Sequence, residues 1–117
     1  MTYLDDVAKK LLDIYPKFDD GRVNFVDQRI RYILNCIVVC NNQILVARRG
    51  ANVAAYPNTL NGISGYIDQP KKSIEDLALI ELREEAGAPT GCELKVGDML
   101  TYVDDEIGIE WRIYPIF

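Results

Sequence analysis

The order of elements predicts an α+β fold with a mixed sheet packed against helices, and three observations carry that expectation. An amphipathic helix opens the chain, β-branched runs separated by turn residues follow, and a second helix precedes two last strands. No βαβ unit repeats. A chain of 117 residues makes one domain, 1–117, in which residues 1–20 form an N-terminal helical extension.

From Thr2 to Tyr15, Leu4, Val7, Ala8, Leu11, Leu12 and Tyr15 recur at helical spacing, and Pro16 stops the helix. Phe18-Asp19-Asp20-Gly21-Arg22 is turn chemistry. Arg31–Cys40 and Gln43–Arg48 are β-branched runs joined by Asn41-Asn42, the pattern of a two-residue hairpin. Residues 50–65 read as a loop carrying Pro57, Asn58 and Asn61, with Gly62 and Gly65 giving backbone freedom at a strand entry. A polar link after Tyr66-Ile67-Asp68 leads to Ser73, from which a helix runs to Ala86. Ser73-Ile74-Glu75-Asp76 is a capping box with Asp76 in the place of Glu or Gln; at the other end Gly87 offers the left-handed cap and Pro89 prevents continuation. Glu93–Val103 and Ile109–Phe117 read as strands joined by a turn over Asp104–Gly108. The chain stops inside the apolar strand Trp111–Phe117, and the expectation is a C-terminus cut short or divergent. Such an end should leave an unpaired edge or a bare apolar face, and with it low solubility or a homodimer joined through this segment.

Composition narrows the chemistry. Hydrophobic residues make up 49% and charged residues 26%, an ordinary globular balance. The chain has no histidine, which removes Ser-His-Asp and Cys-His nucleophiles and His-ligated zinc or haem. A net charge of −5 is the wrong sign for generic capture of nucleic acid or anionic lipid, so a phosphate-bearing substrate requires cations to reconcile the charges. Cys36, Cys40 and Cys92 include no CxxC and make no even framework, so Cys36 and Cys40 read as small buried hydrophobes in a reducing compartment. No run approaches a membrane span and no basic leader opens the chain, so a cytoplasmic protein is expected.

The second helix carries the chemistry. Ile74, Leu77 and Ala78 share a stripe, and Glu81, Glu84 and Glu85 fall in about the same sector, so the apolar face turns acidic in its last turns. Carboxylates near a helix C-terminus oppose its dipole by ~0.3–1 kcal/mol each, and like charges three or four residues apart add a few tenths. A divalent cation removes both penalties. Oxygen ligands alone point to Mg²⁺ or Mn²⁺; the alternative reading is a solvated acidic helix end paired with Lys or Arg from elsewhere.

At these residues the chain resembles the Nudix hydrolases, whose signature is G-x5-E-x7-R-E-U-x-E-E-x-G-U. Glu81-Leu82-Arg83-Glu84-Glu85-Ala86-Gly87-Ala88 matches the E-U-x-E-E-x-G core, with a small Ala88 at the last U. Ile80 stands at the Arg position, Lys72 at the first Glu, and Tyr66, one residue after Gly65, at the first Gly. The likeness covers Arg31 to Phe117 and implies an α/β/α sandwich with a mixed sheet. It also implies Mg²⁺-dependent hydrolysis of a diphosphate linkage in a nucleoside diphosphate derivative, the small-molecule partner. Glu81, Glu84 and Glu85 match the family's metal-ligating glutamates, with Glu84 and Glu85 as the catalytic pair. Asp104, Asp105 and Glu106 are candidates for a further carboxylate from a later loop, or form a plain turn. Arg48, Arg49 and Gly65 fall where the family meets substrate phosphates. Tyr56, Tyr66 and Trp111 either stack on a nucleobase or pack in the core. In the family the motif Arg orients the glutamates, which Ile80 cannot do, so a non-catalytic Nudix-like module binding nucleotide or protein is the alternative.

Overall fold

A computed structural model describes residues 1–40, 42–45, 47–48, 60–61, 63–86 and 94–117. Among them the chain forms α1 (Asp6–Ile14), β1 (Ile30–Cys36), β2 (Val38–Cys40), β3 (Gln43–Leu45), β4 (Ala47–Arg48), β5 (Leu60–Asn61), β6 (Ile63–Tyr66), α2 (Ile74–Ala86), β7 (Leu100–Asp104) and β8 (Ile109–Ile116). A four-stranded mixed sheet runs β6-β1-β8-β7, with β1 parallel to β8 and the outer pairs antiparallel. This is an α+β architecture.

Helix α1 begins later than its periodicity predicts, because Asp5 is the N-cap and accepts from the Ala8 amide at 2.8 Å. Leu4, Ala8 and Leu12 bury against the sheet, while Val7, expected on the same face, is 71% exposed. At the helix end Tyr15 donates its hydroxyl to the Ile30 carbonyl at 2.9 Å, and Lys17 Nζ donates to the Leu12, Asp13 and Tyr15 carbonyls. Thr2 donates its amide to the Glu75 carboxylate and accepts from the Ile74 amide, which ties the N-terminal segment to the start of α2.

The run Arg31–Cys40 breaks at Ile37. Its amide donates to the Ile116 carbonyl at 2.8 Å, where β8 ends, and Val38–Cys40 then pairs with Gln43–Leu45 in the expected hairpin register. Asn42, in the turn, takes a φ of 61°. The stretch expected as loop contains strands instead: Ile63–Tyr66 lies antiparallel to β1, with Gly65 opposite Leu34. Glu93–Val103 also shortens to Leu100–Asp104. Val96 bridges Ile116 while Leu100 pairs with Ile113, so three residues oppose two, and Pro115 within that span has no amide to give a ladder.

Two clusters flank the sheet. On one face Tyr32, Leu34, Cys36, Tyr114 and Ile116 meet α1 and α2; on the other Ile109 and Trp111 pack with Ile33 and Ile113. Segment Trp111–Phe117, expected at an edge, lies inside the sheet because β8 pairs with β1 on one side and β7 on the other. The outer strand on the β8 side is β7, with Leu100 at 58% and Tyr102 at 54% exposure. Among the described residues no helix is long and apolar enough to cross a membrane.

Candidate functional site

Helix α2 is aimed by the residue just before it. Ser73 is buried, and its Oγ accepts from the Asp76 amide at 3.1 Å, as the capping box predicts. From that start Ile74, Leu77, Ala78 and Leu82 turn inward, and Glu81 follows them toward the sheet, whereas Glu84 is exposed. Glu81 reaches the sheet because Gly65 has no side chain. A Cβ there would fall inside the Glu81 carboxyl group and 2.8 Å from its Cγ. Gly65, read as giving backbone freedom at a strand entry, sits within β6 with no left-handed φ, and what it supplies is space. Burial pushes the neighbouring Cys36 thiol from 9.0 up to about 11, and the Glu81 charge adds to the push. Cys36 is thus the inert buried thiol expected of it.

A second group gathers where β6 leads into α2. The loop Phe18–Arg22 closes on itself through the Phe18 amide donating to the Arg22 carbonyl at 2.8 Å, with Gly21 at φ 91° making the turn. It is fastened to the sheet by the Val23 amide, which donates to the Asp68 carbonyl at 2.9 Å. Asp20 accepts from the Arg22 amide at 3.0 Å and from its Nε at 2.7 Å. The Arg22 guanidinium lies 5.6 Å from the Phe18 ring centroid and presents one terminal nitrogen to Asp68 at 3.6 Å. Desolvation raises the Asp68 carboxyl, Arg22 opposes that, and Asp20 and Glu84 add to it. The Glu84 charge in turn favours the Arg22 cation, so Arg22, Asp20, Asp68 and Glu84 share one electrostatic neighbourhood. The motif reading missed Asp20, Arg22 and Asp68, since its only signal for the loop was turn chemistry.

Other expectations fare differently. Ile80, at the motif Arg position, packs against the core, and Lys72 is exposed in the turn before Ser73. Arg83 is exposed, away from the stripe. Asp104 ends β7 and Asp105 and Glu106 lie in the turn after it, at the opposite sheet edge from β6, with the Glu106 amide donating to Asp104 Oδ1 at 3.0 Å. Tyr66 stacks on Phe25 at 5.0 Å and lies 6.3 Å from Trp111, and its hydroxyl accepts from Arg31, so these rings pack against one another. The Glu85 and Arg48 side chains and residues Arg49, Tyr56, Gly62, Gly87, Ala88, Pro89 and Cys92 lie outside the described residues. Among the described residues no group of three or more acidic or cysteine side chains forms a metal cluster. Comparison of the chain with family models and with curated proteins finds no match.

Proposed function

We propose that this chain is a cytoplasmic Nudix-type pyrophosphohydrolase, an α/β/α sandwich that hydrolyses a diphosphate linkage in a nucleoside diphosphate derivative with Mg²⁺ or Mn²⁺. The observation that carries the reading is the Glu81 carboxylate seated in the space that Gly65 leaves open. A side chain at position 65 would fill that cradle. The donor chemistry fits a hard cation: Glu81 and Glu84 are oxygen ligands one helical turn apart, and Glu85 follows directly. A bound Mg²⁺ would neutralise diphosphate charge and activate water. The chain's own part is to hold Glu81 rigidly between α2 and β6, and to leave the exposed Glu84 free to accept a proton from the attacking water.

The test is turnover with Mg²⁺ on nucleotide sugars, dinucleoside polyphosphates, oxidised nucleotides and dinucleotide cofactors. Glu84→Gln and Glu85→Gln should each reduce turnover and Mn²⁺ affinity at least tenfold, while the apo protein keeps its fold. Unfolding of the apo variants with unchanged metal affinity would make the glutamates structural and sink the reading. A second reading, a non-catalytic Nudix-like module, draws on Ile80, which packs on the core and leaves the motif without its Arg. Nucleotide binding without metal-dependent turnover would favour it.

A further inference from the structure

The outward backbone groups of β7 can be assigned residue by residue. On β8 the Glu110 amide donates to the Arg29 carbonyl and the Ile116 carbonyl accepts from the Ile37 amide, so the even-numbered residues face β1. The odd-numbered ones face the other way, as Pro115 and Phe117 do in bonding Gly97 and Lys95. Ile109, Trp111 and Ile113 therefore engage their partners Asp104, Tyr102 and Leu100, and Thr101 and Val103 point their N–H and C=O groups away from β8. Among the described residues no strand pairs with that side.

The side chains along this edge select its occupant. Met99–Val103 is exposed throughout and holds no Lys or Pro, the usual guards of a free edge. Leu100 and Tyr102 share a face with Ile113 and Trp111 and so extend the second apolar cluster. Asp98 stands at one end and Asp104, Asp105 and Glu106 at the other, with no Lys or Arg from Asp98 to Glu106. A second copy is a poor fit, because antiparallel self-pairing centred on Thr101 or Tyr102 brings Asp98 of one copy onto the acidic 104–106 end of the other. We propose that β7 is a β-augmentation site for an extended peptide segment with apolar residues at alternate positions and Lys or Arg at both ends. The segment adds antiparallel, with the greater basic charge at its N-terminal end, opposite Asp104, Asp105 and Glu106.

The probe is the capped peptide KKVTITVK, titrated into the full chain while amide exchange is followed by NMR. Exchange at Thr101 and Val103 should be fast in the free chain and at least about tenfold slower on saturation, whereas Tyr102, bonded to β8, is slow in both. The acid-ended peptide EEVTITVE should bind about tenfold weaker or worse, and the difference should shrink as ionic strength rises from about 0.05 M to about 0.5 M. Asp98→Lys, Asp105→Lys and Glu106→Lys together, all at exposed positions, should reverse the preference. Val103→Pro removes one outward donor and no bond to β8, so it should lose the probe while thermal melts report a folded chain. The proposal is overturned if KKVTITVK does not bind, if both peptides bind alike at low ionic strength, or if binding leaves Thr101 and Val103 unprotected. Protection of those amides in the free chain that grows with protein concentration would overturn it in favour of a second copy.

Discussion

Gly65 and Glu81 form a pair in which one residue is defined by the atoms it lacks. Gly65→Ala should destabilise the protein by about 1–3 kcal/mol through overpacking against the Glu81 side chain, read by urea denaturation. Adding Glu81→Ala should return part of that loss, since contacting sites couple. At Cys36, a thiol pushed up to about 11 stays protonated at neutral pH, so alkylation mapped by mass spectrometry should miss it in the native protein and find it after unfolding. Because the folded state keeps that proton longer, Cys36 favours unfolding progressively as pH rises from 9.0 toward about 11. The inward phase of Glu81 on α2 was readable from spacing, whereas Glu84, placed in about the same sector, is exposed. The partnership of Arg22 with Asp68 was not readable, because 46 residues separate them and no period links a turn to a strand exit.

At the scale of elements, helices are the most legible because their signals are local. Ser73 caps α2 as the capping box predicts, and Pro16 follows the end of α1 directly after Tyr15. Leu12 is fully buried between α1 and the sheet, so Leu12→Ala should cost about 2–5 kcal/mol in chemical denaturation, which would mark the N-terminal helix as part of the core. Ile80 shows the same physics on α2: Ile80→Arg should lose up to about 2 kcal/mol of burial and restore no activity. Strand limits were less legible. Ile37 looks like any other apolar residue of its run, yet it stands where β8 ends and the chain must find a new partner. Ile63–Tyr66 hid among turn residues because its Gly is selected by a helix packed above it and not by a turn.

For the whole molecule, strand order decides which apolar surface meets water. The C-terminal strand was expected at an edge, but β8 is paired on both sides, and α1 contributes Leu4 and Leu12 to the cluster that holds Tyr114 and Ile116. The exposed outer strand is β7, so Tyr102→Lys should raise solubility while changing stability by no more than about 0.5 kcal/mol, read by concentration limit and thermal melt. The amino-acid sequence by itself determined the α+β class, the phase and start of α2, the Asn41-Asn42 hairpin and the acidic end of the second helix. Those features depend on side-chain period, capping and turn chemistry within a few residues. Only the tertiary structure decided that β8 lies between β1 and β7, that Gly65 opens a seat for Glu81, and that Arg22 faces Asp68. These are contacts between distant segments, selected by the packing of whole elements, and no local pattern of residues encodes them.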